Sequence, residues 1–316
     1  MAGQLWGVSA NGGYLANPKL SKTIRHAAQP MMKYRQFVRP EPGFGKGKGE
    51  QILFNTISNV ATAGGTISET SRIPETNITI SQGNITVNEY GNSVPWTGKL
   101  EALSEFSVDN IVTVSLRNDM AKVIDQAVHD EFVTCQVKIT PTGTTSSPSV
   151  TTDTDGSFST SATRDIGTFD IQEAADYLED TLKAEKYDGD NYIAIGRTTG
   201  LRQIFDSTEW SDAAKYGDPD RLFAGEIGRW YHVRFIKETN SSRQTLSAAS
   251  SYQGEMTVFG ADPLVEGVAL PEEIRAKIPE DYGRSKGVAW YAILGWSLTY
   301  DTATAGEAKI VQVGSA

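Results

Sequence analysis

The longest regular pattern of apolar residues lies between Glu101 and Cys135. Asp109 can cap a helix there, and the charged residues and His129 occupy the face opposite an apolar stripe. The stripe repeats at spacings of three and four and consists of Leu116, Met120, Val123, Ile124, Ala127 and Phe132. The pattern predicts one continuous helix over about residues 109–133, and its stretch from Asn110 to Phe132 would be about 35 Å long at about 1.5 Å per residue.

Between Glu41 and about Gly98 the pattern changes to that of β-strands. The echoed motifs Asn77-Ile-Thr-Ile80 and Asn84-Ile-Thr-Val87 place Ile78, Ile80, Ile85 and Val87 on strand faces. Together with residues 51–60, they predict a long two-stranded excursion. An isolated hairpin buries too little to be stable in water, so we expect this one to lie on another surface.

The second half of the chain alternates helix and strand, which predicts an α/β subdomain in an α+β protein. A capping box from Asp170 to Glu173 opens one helix, and a short helix follows at 198–205. Strands are predicted at 191–195, 230–236, 256–259, 288–299 and 308–313. We expect residues 301–306 to join the last two strands as a hairpin.

The Thr/Ser-rich stretch from Thr140 to Thr163 has no apolar periodicity and predicts a long loop or a small surface excursion. Within it, Asp153-Thr-Asp155-Gly156 resembles a calcium loop only faintly, because no Glu stands where a bidentate ligand belongs. We interpret this motif as a solvated turn.

The composition, 39% apolar and 22% charged, is typical of a soluble globular protein. The longest apolar run, 288–296, has nine residues, far fewer than the ~20 of a membrane helix. No signal-peptide pattern precedes Lys19, the first basic residue, so we expect a cytoplasmic protein. Cys135 is the single cysteine, which excludes an intrachain disulfide and predicts a small buried or half-buried side chain.

Charge is distributed unevenly along the chain. Residues 1–49 hold eight Lys or Arg and one acid, a net charge of +7, and the remaining 21 bases and 38 acids give −17. Opposite potentials favour docking of this basic arm on the acidic body of a neighbouring subunit, with nucleic acid or plain solvent as the alternatives. Trp6 and Tyr14 indicate that the arm packs on something, because exposed aromatic residues gain nothing in water.

Candidate catalytic chemistry is sparse. His26, His129 and His232 fall in different elements, and no HExxH, GxSxG, CxxC or GxGxxG motif is present. We therefore predict no enzymatic activity, no metal and no cofactor, although a carboxylate pair assembled in space stays open. The more distant alternative is a β-rich hydrolase or glycan-binding protein. Its stacking residues would be Trp6, Trp96, Trp210, Trp230, Trp290 and Trp296, which core and interface packing explain more simply.

The order of parts resembles that of the major capsid proteins of tailed bacteriophages, which have the Hong Kong 97-type fold. Two stretches carry the resemblance: residues 96–100 (WTGKL) running into 103–106 (LSEF), and 222–228 (LFAGEIG) followed by 231–236 (YHVRFI). The resemblance implies five parts. They are an N-terminal arm at 1–40, a β-hairpin E-loop at 41–100, a peripheral domain with its spine helix at 101–168, an α/β axial domain at 169–286, and terminal strands at 287–316 that return to the peripheral domain.

The resemblance also implies a self-assembling shell protein, arranged as hexamers and pentamers in an icosahedral virion that encloses double-stranded DNA without sequence-specific recognition. Assembly in the host cytoplasm is implied, with a separate scaffolding protein and a portal protein as partners and a decoration protein as a further candidate. The nearest alternative is an encapsulin-type bacterial compartment, which shares the fold and holds enzymes instead of DNA.

For such a shell we expect Gly43–Gly49 to act as the hinge of the E-loop. The arm would be docked by Arg25, Lys33, Arg35 and Arg39, with Trp6 at an interface. Lys46 and Lys48 lie where some family members carry a lysine that crosslinks to a neighbour. No motif matches the partner of that reaction, so we predict no covalent crosslinking.

Overall fold

A computed structural model describes residues 28–41, 47, 49–58, 60, 64–207, 226–240, 255–278 and 281–314. Within them the protein is α+β, as predicted. The helices are α1 (Gly98–Leu103), α2 (Val108–Phe132), α3 (Thr168–Asp176) and α4 (Thr198–Asp206). The strands are β1 (Val38–Pro40), β2 (Gln51–Ile57), β3 (Ile80–Thr86), β4 (Asn88–Thr97), β5 (Val137–Thr144), β6 (Ser147–Asp153), β7 (Tyr192–Gly196), β8 (Glu226–Trp230), β9 (Val233–Lys237), β10 (Glu255–Phe259), β11 (Leu264–Ala276), β12 (Ser285–Leu298) and β13 (Ile310–Gly314).

The long helix α2 lies where the sequence predicts it and has 25 residues, about 37 Å at about 1.5 Å per residue. Ser107 occupies the cap position, so Asp109 lies in the first turn instead of capping the helix. Most of the predicted stripe faces the protein interior, but Val123 is 37% exposed. The buried apolar residues of α2 are Val112, Leu116, Ile124, Val128 and Phe132.

A four-stranded sheet in the order β1-β11-β12-β4 supports α2 on one face. Strand β1 pairs with β11 in parallel, and the remaining neighbours are antiparallel. The Asp119 carboxylate of α2 accepts hydrogen bonds from the Trp290 indole N–H at 3.0 Å and from the Asn92 side chain at 2.9 Å. Because Trp290 is 1% exposed, this acceptor satisfies a donor that water cannot reach.

A seven-stranded sheet in the order β6-β5-β13-β10-β7-β9-β8 forms the second layer. Helices α3 and α4 pack against it and bury Ile171, Ala174, Leu201 and Ile204 in its core. The predicted strand at 230–236 is two strands, β8 and β9, separated by Tyr231 and His232, both at positive φ. The other strands predicted in this half match the structure within a few residues.

Strands β2 and β3 form a separate two-stranded antiparallel sheet, called the ribbon below, which confirms the predicted excursion. Its register runs from Gln51 opposite Thr86 to Ile57 opposite Ile80. At its base, β3 contacts β11 and β12 of the four-stranded sheet, and Ile85 is fully buried there. Ile78 and Ile80 are more than 60% exposed, so the echoed motif has one exposed and one buried copy.

Of the two alternatives predicted for Thr140–Thr163, the long loop is wrong, because most of the stretch is the hairpin of β5 and β6. The pattern missed this hairpin because its Thr, Ser and Pro residues show no apolar alternation, although residues 138–144 pair with residues 147–153. Arg164 joins the hairpin to α3: it donates to Thr142 O at 2.9 Å and makes two bonds of 2.5 Å with Asp170.

Two further predictions are corrected. Helix α3 begins at Thr168, and Asp170 accepts a hydrogen bond from the Gly167 amide at 2.8 Å, so Asp170 is the third residue of the helix and not its cap. Residues 301–306 do not close a hairpin, since β12 belongs to the four-stranded sheet and β13 to the seven-stranded sheet. This connection instead links the two layers.

Candidate functional site

Four buried polar side chains connect α2 to the seven-stranded sheet. His129 Nε2 lies 2.7 Å from Glu255 Oε1, Gln312 donates to the other Glu255 oxygen at 3.2 Å, and Lys138 Nζ donates to Gln312 Oε1 at 2.6 Å. All four are at most 2% exposed. The sequence analysis placed His129 on the polar face of the helix, which is wrong because its side chain is fully buried, and it named none of the other three. A polar residue on a strand or helix carries no local sign of a distant partner.

The charges and hydrogen bonds among these four side chains favour the protonated form of His129. Burial alone lowers the pKa of His129, but the hydrogen bond and charge of Glu255, with a smaller contribution from Asp130, outweigh burial and raise the pKa above its usual value. Burial raises the pKa of the nearby Cys135 thiol, although Lys138 opposes this. Cys135 is 3% exposed, as predicted. Because His129 and Glu255 are closed to solvent, a substrate cannot reach them, and the pair acts as a structural link.

The segment 31–40 is attached to the body by backbone hydrogen bonds. The Asp125 carboxylate of α2 accepts from the amides of Tyr34 at 2.9 Å and Arg35 at 3.2 Å. Met31 and Thr239 exchange two hydrogen bonds, of 2.8 and 3.1 Å. Burial raises the pKa of Asp125, and these amide donors oppose the shift. Asp125 was not foreseen, because an acid on a long helix normally faces water.

The structure places two of the basic interface candidates against acids of their own chain. Arg35 forms ion pairs with Glu266 at 3.2 Å and with Glu272, and Arg39 pairs with Asp262 at 2.9 Å. Lys33 lies on the same segment and lines a groove with Phe37. These residues hold the segment on its own body. The remaining candidates Trp6, Arg25, Lys46 and Lys48 lie outside the described residues.

One face of the ribbon presents apolar side chains to solvent. Leu53 is 60% exposed, and the cross-strand partners Ile57 and Ile80 are each 63% exposed. Directly paired residues point to the same side of a sheet, so Asn55 and its partner Gln82 share this face. Large side chains grouped on a surface in this way mark an interaction site more often than a free surface.

Three of the described tryptophans are core residues and do not form an exposed stacking platform. Trp96, Trp290 and Trp296 are between 1% and 9% exposed and belong to the core around α2. Trp6 and Trp210 lie outside the described residues. Among the described residues, no group of three His, Cys, Asp or Glu side chains could hold a metal ion. The described helices also include none that is long and apolar enough to span a bilayer.

The family model of the phage capsid family matches residues 12–186, more than half of the chain. No curated protein matches the sequence. Among solved structures, the capsid of Helicobacter pylori bacteriophage KHP30 has a TM-score of 0.69 at 12% identity, covering 98% of this chain and 97% of that one. The capsid of Ralstonia phage GP4 has a TM-score of 0.67 at 14% identity, with 98% and 97% covered.

The capsid of a native GTA particle also matches, with a TM-score of 0.59 at 18% identity and 98% of both chains covered. These likenesses confirm the predicted fold, and the family match confirms the predicted resemblance. No finding favours the encapsulin-type alternative. The chain therefore belongs to the phage capsid family and is a major capsid protein, a structural component of a phage shell.

Proposed function

We propose that copies of this chain assemble as hexamers and pentamers into an icosahedral shell, and that the ribbon of each copy lies on a neighbouring copy as the E-loop of the family. The observation that carries this proposal is the exposed apolar face of Leu53, Ile57 and Ile80. Among the described residues, these side chains project from a two-stranded sheet whose main contacts with its own body are those of β3 with β11 and β12 at its base.

Burial of this face on a neighbour would supply free energy that the single subunit lacks. Fully burying one Leu or Ile side chain contributes about 1.5–3 kcal/mol, so three residues that are already about 40% covered contribute roughly 3–5 kcal/mol per ribbon. Every subunit repeats the contact, so the shell gains it many times over. A ribbon that projects in this way enlarges the interface without enlarging the subunit core.

Residues 1–40 would form the N-terminal arm. The ion pairs of Arg35 and Arg39 with acids of their own chain support an arm whose last residues are anchored on its own body, from which the earlier residues would extend to a neighbour. Arg25 and Trp6 are proposed to make that contact. The net charge of −17 on residues 50–316 supports docking on another copy over docking on nucleic acid.

The same negative charge suits a container for double-stranded DNA. A strongly basic wall would bind phosphates and resist release, whereas an acidic wall holds DNA without sequence-specific contacts. We propose that a separate scaffolding protein and a portal protein take part in assembly in the host cytoplasm, with a decoration protein as a further candidate partner. The shell has no enzymatic turnover in this proposal.

The deciding experiment replaces the apolar face of the ribbon with Leu53→Ser, Ile57→Ser and Ile80→Ser together. We expect folded subunits or small oligomers and no closed shells, by negative-stain electron microscopy and light scattering, when the chain is expressed with the other structural proteins of the virus. The matched control is Asn55→Ser with Gln82→Ser on the same face, which should leave shells normal. Normal shells from the triple variant would exclude the proposed placement of the ribbon.

The glycine-rich stretch Gly43–Gly49 is proposed as the hinge by which the ribbon moves as the shell expands. Gly47 and Gly49 support this, because both have positive φ, at 86° and 98°, where other residues are strained. Proline at either position is incompatible with that backbone and should stall expansion, measured as particle diameter after DNA packaging. Expansion to the normal diameter would count against a hinge at these two residues.

A further inference from the structure

The base of the ribbon rests on a pair of glycines. Gly267 of β11 and Gly295 of β12 are directly opposite each other in the four-stranded sheet. A Cβ atom added to Gly295 would overlap the Thr86 carbonyl oxygen and lie 2.9 Å from its carbon and 3.0 Å from Ile85 Cγ2. A Cβ atom on Gly267 would overlap the end of Ile52 and lie 3.3 Å from Ile85 Cγ2. We call these two glycines the glycine seat.

Glycine occupies these two positions because a side chain would have little room there, and not because of the backbone conformation. Neither Gly267 nor Gly295 has positive φ, so other residues could adopt the same backbone. Alanine would be the better strand residue at both positions, because glycine loses more conformational entropy on folding. The two glycines thus make the sheet less stable, but they allow the ribbon backbone to approach it closely.

The remaining surroundings leave the ribbon free to change its angle. Above the seat, the ribbon is exposed at Ile57 and Ile80. Beside the seat, the described residues leave a cleft of about 770 Å³ between the ribbon base at Glu50 and Val87 and the sheet at Leu270 and Tyr291. A ribbon lifted off the glycines therefore has room to move.

We propose that the glycine seat sets the angle at which the ribbon leaves the body, and that filling the seat at Gly295 holds the ribbon at a second angle while the subunit stays folded. Any effect of this angle on shell assembly rests on the function proposed above, in which the ribbon lies on a neighbouring copy. The angle itself is a property of the single subunit, so it can be tested without assembly.

The two glycines differ in a way that makes the proposal specific. At Gly295 the obstacle is backbone, which has to be displaced, whereas at Gly267 it is the end of the flexible Ile52 side chain, which can rotate away. A methyl group at Gly295 requires a displacement of about 1 Å at Thr86 to restore normal contact. Thr86 is one residue from Val87, and Ser81 is six residues from it. If the ribbon pivots at Val87, a displacement of about 1 Å at Thr86 therefore becomes about 6 Å at Ser81.

The test measures the distance between spin labels on Ser81→Cys in the ribbon and Asp190→Cys in an exposed turn of the body. The native Cys135 is 3% exposed and does not compete for the label. Adding Gly295→Ala should shift the mean distance by about 6 Å. Gly267→Ala should leave the distance within about 2 Å of the parent, because the Ile52 side chain rotates away. Gly65→Ala, which meets nothing within 4 Å, is the matched control for the substitution itself.

An unchanged distance in folded Gly295→Ala overturns the proposal. If that variant does not fold, a second variant, Gly267→Val, fills the seat from the other strand and should shift the distance between the labels. Adding Ile52→Ala to Gly267→Val should restore the distance of the parent. Failure of that restoration also overturns the proposal. A shifted distance with normal shells would support the seat and count against the placement of the ribbon on a neighbour, so the two proposals fail separately.

Discussion

Replacing His129 with Leu tests whether the buried polar chain holds α2 on the seven-stranded sheet. Leu is close to His in volume, so the substitution leaves little cavity, and its main effect is to remove the partner of Glu255 at 2.7 Å. Glu255 is 1% exposed. Of its two side-chain contacts described above, it would keep only the one with the Gln312 amide, at 3.2 Å. The variant therefore isolates the cost of an unpaired buried carboxylate.

The expected loss is about 3–5 kcal/mol, the usual cost of removing one partner from a buried ion pair. This is a large share of the roughly 5–15 kcal/mol by which proteins are stable. With a urea dependence of about 3 kcal/mol/M, the unfolding midpoint should fall by about 1–2 M. Replacing Glu255 with Gln in the same chain removes the unpaired charge, so the double variant should recover about 2 kcal/mol or more.

The pH dependence gives a second, independent measure. The pKa of His129 is raised in the folded protein, so the stability that it contributes is complete below about pH 6.5 and is lost as the pH rises through the raised pKa. The groups that face the ring are Glu255 from β10, Asp130 and Gln126 from α2, and the Tyr34 ring at 4.9 Å. In the Leu variant the alkaline loss disappears.

The assay is urea unfolding of unassembled subunits at pH 5, 7 and 9, followed by tryptophan fluorescence. Asp130→Asn is the control, because Asp130 lies 3.2 Å from the same ring but its side chain is 62% exposed, so its loss should cost less than about 1 kcal/mol. A Leu variant within about 1 kcal/mol of the parent, or one with the parent's pH profile, would refute the argument.

Three further predictions concern the body and the shell. Asp125→Ala removes the acceptor of the Tyr34 and Arg35 amides, so hydrogen exchange of the peptide 31–40 should become at least tenfold faster, about 1.4 kcal/mol; unchanged protection would contradict this. Asp119→Ala leaves the buried Trp290 N–H without its acceptor and should lower the free energy of unfolding by about 1–3 kcal/mol, more than Asp119→Asn, in urea titrations; equal losses would argue against a hydrogen-bond origin. Shells should give one band near 34.3 kDa on a denaturing gel, and a ladder would disprove the absence of crosslinks.

The sequence by itself determined the elements whose periodicity is local. The apolar stripe predicts α2 to within a residue or two, since a helix that packs on one face must repeat its apolar positions every three or four residues. The alternating motif around Ile80 and Ile85 likewise predicts the ribbon, and the expectation that it needs another surface follows from its size. The capsid resemblance was also contained in the sequence.

Tertiary structure decided which elements pair and which polar groups meet. Strand β5 joins the seven-stranded sheet because Val137–Ile139 pair with β13, more than 160 residues later. Glu255, Asp125 and Asp119 carry no local signal, because a carboxylate looks the same in sequence whether water or a distant donor satisfies it. The seat formed by Gly267 and Gly295 depends on three segments together: β11 and β12 place the two glycines opposite each other, and the ribbon lies against them. No single stretch of sequence shows this close approach.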